Sequence, residues 1–206
     1  MNVLIIGNGG REHAIAWKIN QSPLLDNLFC LPGNAGTESL ATNLTNIDTA
    51  HHQSIIDAVQ ANTIDLVIIG PEQPLADGLA DSLNANNVKV FGPTAIGAKL
   101  EASKSFSKSF MKDSGLPTSN FDIFSDIDSA LNFINKNESS ITNYVIKADG
   151  LAAGKGVILP NNIDEATRAI NQIMSDKIFG NAGDKLIIEK RIPGKEVSAH
   201  AFSDGK

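Results

Sequence analysis

The chain has 206 residues, 42% of them hydrophobic and 19% charged, and 17 basic side chains against 23 acidic ones leave a net charge of −6. Such proportions describe a globular protein of one large or two small domains, burying roughly 70% of its unfolded surface. The acidic balance argues against nucleic-acid binding, which selects basic faces, so an anionic ligand must be held locally by loops and a few placed cations. No apolar run reaches the ~18 residues of a membrane span, and Met1-Asn2-Val3 leads straight into a strand, which predicts a cytoplasmic protein without transmembrane helix or cleaved signal. The single cysteine, Cys30, sits in an apolar run and reads as a buried strand thiol.

Residues 3–6 form an apolar strand, and 11–21 a helix with Ile15, Trp17 and Ile19 available for a buried face. Residues 28–31, 66–69 and 88–91 are further short strands, separated by helical stretches at 54–60 and 75–84. Strands alternating with helices predict βαβ units and a parallel sheet, with ligands at the C-terminal strand ends. Those ends are turn loops: Gly7-Asn8-Gly9-Gly10, Pro32-Gly33-Asn34, Gly70-Pro71-Glu72 and Gly92-Pro93-Thr94.

Residues 99–114 read as one helical connector, closed by Gly115 and Pro117. The pattern then changes to strands at 121–124, 144–146, 157–159 and 185–189, with helices at 127–135 and 163–174. A short glycine loop between two of these strands predicts antiparallel pairing. The expected organisation is therefore two domains, 1–100 and 101–206. Residues 197–202 read as a strand and Ser203-Asp204-Gly205 as a hairpin turn with no returning strand, which predicts a piece of a longer protein.

Four constellations carry chemistry. The segment Y-V-I-K-A-D-G-L-A-A-G-K-G-V at 144–157 delivers Lys147 at a strand end, then a loop of small residues (Gly150, Gly154, Gly156) with Lys155. Close-approaching backbone N–H groups plus ammonium charge suit a nucleotide's phosphates. The spacing is not that of the P-loop, and a glycine-rich turn with solvated lysines is the plainer alternative. The first loop, G-N-G-G-R-E-H, follows a strand and opens a helix, a place that favours anions, with Arg11 the cation best placed to help. Glu12 stands at the third glycine position of the dinucleotide fingerprint, and no acidic residue follows the second strand, so NAD is disfavoured while a sugar phosphate is suited. His13 reads as a local hydrogen-bonding residue, and His51-His52 as solvated. Glu72, between prolines in G-P-E-Q-P-L, is either a carboxylate for sugar hydroxyls or an amine, or a helix N-terminal charge. In E-K-R-I-P-G-K-E, residues 189–196 end a strand as either a charged surface edge or an adenine and ribose clamp.

In chain order, G-N-G-G-R-E-H-A, P-G-N-A-G-T, G-P-E-Q-P-L, F-G-P-T, A-S-K-S-F-S-K, V-I-K-A-D-G-L-A-A-G-K-G-V and I-E-K-R-I-P-G-K-E make the chain resemble the N-terminal half of the phosphoribosylamine–glycine ligase family of ATP-grasp enzymes. The resemblance implies a Rossmann-like (pre-ATP-grasp) parallel-sheet domain followed by an incomplete ATP-grasp α+β domain. It implies ATP-dependent ligation of glycine to 5-phosphoribosylamine through glycyl phosphate, in purine biosynthesis; the chain is expected to be a monomer, and its charge and hydropathy predict no nucleic-acid or membrane partner. By position, Lys104, Lys147 and the loop Gly150, Gly154, Lys155 and Gly156 are assigned to ATP phosphates. Glu189, Lys190 and Ile192 are assigned to adenine, Glu196 to ribose, and Gly9, Gly10, Arg11 and Glu72 to the phosphoribosylamine. Residues 190–192 depart from the acidic and aromatic pair usual in the family. The resemblance places the Mg²⁺ or Mn²⁺ ligands, the catalytic residues and most glycine contacts beyond residue 206, so the chain alone is expected to lack ligase activity. A non-catalytic nucleotide or sugar-phosphate binding module is the alternative.

Overall fold

The computed structural model describes residues 1–152 and 155–201. By internal contacts the chain divides into two units, Met1–Ser107 and Lys108–Lys206.

The first unit begins with β1 (Asn2–Gly7), α1 (Gly10–Ile19), β2 (Asn27–Pro32) and β3 (Thr42–Asn43). It continues through α2 (His52–Ala61), β4 (Leu66–Ile69), α3 (Glu72–Ala76), α4 (Leu79–Ala85), β5 (Val90–Phe91) and α5 (Ala95–Ala102). The five strands pair in the order β3-β2-β1-β4-β5, all parallel. Alternation along β1 sends Leu4 and Ile6 to a core with Ile55, Ile56 and Val59 of α2 and Leu79 and Leu83 of α4. Val3 and Ile5 face Ala16 of α1 on the other side. Both faces are covered, so the strands read as unbroken apolar runs, and each fully buried Leu or Ile contributes about 1.5–3 kcal/mol. The order reverses between β1 and β4, which makes their C-terminal ends the switch point where ligands collect in such sheets.

Two expectations for this unit need correction. Trp17 is 57% exposed. The inward stripe of α1 runs through Glu12, Ile15, Ala16 and Ile19 at helical spacing, and Trp17 lies off it. The stretch 75–84 is not one helix, because Gly78 at φ +85° ends α3 and starts α4, a conformation open to glycine.

The connector is likewise two helices. Ser103 is extended (φ −135°, ψ 110°) and its hydroxyl accepts the Phe106 N–H at 3.2 Å, capping α6 (Lys104–Asp113). Gly115, at φ +67°, closes α6, with Leu116 N–H bonded to Met111 O at 2.8 Å.

The second unit contains β6 (Phe121–Phe124), α7 (Ile127–Lys136), β7 (Tyr144–Ala148), β8 (Val157–Ile158), α8 (Ile163–Ile170) and β9 (Leu186–Lys190). Its sheet, ordered β6-β9-β7-β8, is antiparallel throughout. Asp126 caps α7 by accepting the Ser129 N–H at 2.8 Å, and Asn162 caps α8 by accepting that of Glu165 at 2.9 Å. Beyond Ile170 the expected helix continues only as a π-helical turn, Asn171–Ser175. Tyr144, Ile146, Ala148, Leu186 and Ile188 pack one sheet face against α7 and α8. Opposed pairs in the ladder share a face, so Val145, Lys147, Ile187 and Glu189 all project from the other. Residues 197–201 hold no strand, because their alternating pattern meets no partner among the described residues; Phe202 and the turn at Ser203-Asp204-Gly205 lie outside the described residues.

Candidate functional site

At the switch point of the first unit, Arg11 reaches from the start of α1 to the loop after β4. Its Nη1 donates to Gly70 O at 2.7 Å and its Nη2 to Glu72 Oε1 at 2.8 Å. The hydrogen bond and charge of Arg11 hold the Glu72 carboxyl below the usual carboxylate range, and Glu72 raises the Arg11 guanidinium. Glu72 opens α3 as a helix N-terminal charge and stands in the loop after β4. Gly10 opens α1 and is exposed. Asn34, which sequence reasoning passed over, ties the second-strand loop to the first by donating to Asn8 O at 2.9 Å and Gly9 O at 3.2 Å.

Glu12 is more than a mismatch to a dinucleotide fingerprint. Its side chain is buried (4% exposed) and its Oε2 accepts the Gly9 N–H at 2.6 Å. A Cβ added at Gly7, Gly9 or Gly70 would collide with the Glu12 side chain. The glycines therefore make room for this carboxylate, and the Gly9 amide is already engaged rather than free for a phosphate. This qualifies the expectation for Gly9, while Arg11 and Glu72 are joined to each other at the ends of β1 and β4. His13 packs its ring near Gly36; His51 is exposed and bonds Asp48 at 2.7 Å, whereas His52, expected to be solvated, is half-buried at the start of α2 and bonds Ser82 at 2.8 Å.

In the second unit, the sheet face opposite α7 and α8 walls a cavity of about 530 Å³. Lys147, Glu189, Lys190, Ile192 and Glu196 all line it, as does Lys108, which the sequence reading missed. Lys108, Lys147 and Arg191 line the cavity against Glu189 and Glu196, a local positive excess on an acidic chain, while Lys190 borders it with its ammonium turned to the Tyr144 ring on the opposite sheet face. Met111, Val145, Val157 and Leu159 supply an apolar wall. That combination suits a flat base joined to an anion.

The cavity's charges centre on Glu189, which is buried (6% exposed) and forms ion pairs with Lys147 through Oε1 and with Lys108 through Oε2. Ser119 Oγ donates to Glu189 Oε2 at 2.9 Å. Burial alone would raise the Glu189 carboxyl, yet hydrogen bonds from Lys108, Lys147 and Ser119 with the Lys147 charge hold it below the usual carboxylate range. Lys190 keeps its ammonium 5.4 Å from the Tyr144 ring. The backbone N–H groups of Lys190 and Arg191 bond Asn120 O and Asn143 O, each at 2.8 Å. Ile192 follows them at 71% exposed.

The glycine loop joins β7 to β8 and is closed by Ala148 N–H to Gly156 O at 2.9 Å and Lys155 N–H to Ala152 O at 2.9 Å. Gly150 sits at φ +144°. Gly154 lies outside the described residues. The loop residues Gly150, Lys155 and Gly156 are not among the cavity's described lining, and Lys104 opens α6 in the first unit.

The phosphoribosylglycinamide synthetase N-domain profile matches residues 1–101, and the ATP-grasp (A) domain profile of the same synthetase matches 102–206. The chain belongs to the phosphoribosylglycinamide synthetase family. A phosphoribosylamine–glycine ligase of Neisseria meningitidis serogroup B is 45% identical over 205 residues, covering 100% of this chain and 48% of that protein. The trifunctional purine biosynthetic protein adenosine-3 of Gallus gallus is 47% identical, covering 98% of this chain and 20% of that one. A crystal structure of phosphoribosylamine–glycine ligase from Thermotoga maritima superposes with a TM-score of 0.75 at 28% identity, covering 95% of this chain and 45% of that one. The chain thus spans about half the length of these single-function relatives, and in this synthetase family its second unit is the ATP-grasp part.

Proposed function

We propose that the chain carries the nucleotide grip and the phosphoribosylamine grip of an ATP-dependent carbon–nitrogen ligase. The reaction is ligation of glycine to 5-phosphoribosylamine, giving glycinamide ribonucleotide, ADP and phosphate, in the cytoplasm and by a monomer. The observation that carries the nucleotide half is the Lys147–Glu189 pair on the wall of a positively biased cavity with an apolar side.

In the first step a carboxylate oxygen of glycine attacks the γ-phosphorus of ATP, ADP leaves, and glycyl phosphate forms. In the second the amine nitrogen of phosphoribosylamine attacks the acyl carbon, phosphate leaves, and the nitrogen gives up a proton. Both steps depend on positioning and on neutralising phosphate charge. Lys147 supplies that charge from the strand end, and the family resemblance adds Lys104, Lys155 and the loop glycines Gly150, Gly154 and Gly156. Ile192 offers the first backbone N–H beyond β9 that is not bonded to Asn120 or Asn143, which supports its assignment to the adenine edge, beside Lys190 and Glu189. Glu196 is assigned to ribose, and Arg11 and Glu72, with Gly9 and Gly10, to the phosphoribosylamine.

The resemblance implies a divalent ion, Mg²⁺ or Mn²⁺. Among the described residues no cluster of three His, Cys, Asp or Glu side chains could hold one, so no step assigned to this chain passes through a metal. Among them, too, no helix is long and apolar enough to cross a membrane.

Photolabelling with 8-azido-ATP and peptide mapping tests the reading. Labelling within residues 186–196, competed by ATP, is expected. Labelling confined to the first unit would refute it.

A further inference from the structure

Lys108 lines the second unit's cavity, and neither the sequence motifs nor the family resemblance assigns it a task. Its ammonium carries three N–H donors, and the structure uses them all. They go to Thr118 Oγ1 at 2.8 Å, Ser119 Oγ at 2.7 Å and the Glu189 Oε2 atom. Lys108 is therefore saturated by the protein and poorly placed to take a phosphate oxygen itself. Lys147 differs. Its side chain is more exposed (24% against 16%), and among the described residues its ammonium has only Glu189 Oε1 as partner. One carboxylate thus separates a committed lysine from an available one.

The physical need is clear. Without Lys108, buried Glu189 would keep only the Ser119 hydroxyl on Oε2 and Lys147 as its one cation, and would tend toward the neutral form. Were Glu189 to protonate or rotate, Lys147 would lose the fixed acceptor that aims its long, flexible stem. Lys108, braced by two hydroxyls and 5.8 Å from the Phe121 ring, fixes Oε2 and so leaves Oε1 for Lys147.

We propose that Lys108 is a positioning residue of the nucleotide site, acting through Glu189 to present the Lys147 ammonium to phosphate. The proposal rests on the nucleotide reading above. The charged groups facing Glu189 are Lys108 from α6 and Lys147 from β7, while Lys190, Arg191 and Glu196 line the same cavity.

The test measures two quantities on the same variants. One is the titration of the Glu189 side-chain carboxyl carbon, followed by NMR in the nucleotide-free chain; the other is ATP affinity by calorimetry. Lys108→Met should raise the Glu189 carboxyl and weaken ATP about tenfold, the loss of one charge-assisted hydrogen bond's orienting effect. Lys108→Arg keeps the charge and should restore both. Lys112→Met, one turn along α6, should change neither. Unchanged ATP affinity in Lys108→Met overturns the proposal. So does weaker affinity with an unmoved Glu189 titration, which marks a merely structural role. If Lys108→Met does not fold, Ser119→Ala, which removes the hydroxyl bridging Lys108 and Glu189, should move both readouts in the same direction, and movement of neither overturns the proposal. Wild-type chain that binds no ATP defeats the nucleotide reading and this role with it. The Glu189 titration then still reports, independently, whether Lys108 holds the carboxylate.

Discussion

Arg11 and Glu72 join the C-terminal ends of two strands where the sheet order reverses, with 2.8 Å between Nη2 and Oε1. Their side chains are 58% and 45% exposed, so solvent screens the pair and its share in stability is small. Replacing Arg11 with Met should change unfolding free energy by less than about 1 kcal/mol. Binding of ribose 5-phosphate, a probe for the phosphoribosyl ligand, should weaken about tenfold through loss of one charged hydrogen bond. A large fall in Tm with unchanged ribose 5-phosphate affinity would give Arg11 a structural role instead.

Glu12 and Gly70 make a second, complementary pair. A methyl group at Gly70 meets the Glu12 side chain, so Gly70→Ala should destabilise by about 1–3 kcal/mol through overpacking. Glu12→Ala should also destabilise, through a lost cap on the Gly9 amide and an emptied space. Combined, the two changes should cost clearly less than their sum, because the added methyl group then fills space that the Glu12 side chain has left. Denaturant unfolding of the four proteins measures the coupling, and simple additivity would argue against the packing described.

Much of this was legible in the sequence, and the exceptions have physical reasons. β1, β2 and β4 show as apolar runs because both sheet faces are covered. β3, the pair Thr42–Asn43, escaped because two polar residues carry no periodicity and pair only with β2. The helix break at Ser103 was hidden because a mid-helix serine and a capping serine look alike until the backbone is known. Lys147 and Glu189 stood out as residues at strand ends. Lys108 did not, since a lysine in K-S-F-S-K resembles a solvated helix position; only the fold brings it to Glu189. Glu12 was read as what the first loop lacks, whereas the surrounding glycines are shaped to it.

The depressed Glu189 carboxyl makes stability depend on pH. Its stabilising contribution is fully present above the unfolded carboxylate value of about 4.3 and is lost as pH falls through the lower, folded value. Urea unfolding monitored in the second unit between neutral and acid pH should therefore show a steeper acid loss for the native chain than for Glu189→Gln. Equal slopes would mean that the two lysine contacts do not hold the carboxylate in solution.

Cys30 lies fully buried in β2, where burial raises its thiol and outweighs an opposing hydrogen bond from Thr37. An aromatic disulfide reagent should leave the folded chain unmodified at neutral pH and react with one thiol per chain in denaturant. Rapid reaction without denaturant would mean that β2 opens readily.

The most direct test of the account is calorimetric titration of the purified chain with ATP and, separately, with NADH. The cavity built on Lys147 and Glu189 predicts saturable ATP binding, weakened in Lys147→Ala, and the plug of Glu12 in the first loop predicts no response to NADH. Saturable NADH binding, or ATP binding untouched by Lys147→Ala, would contradict it.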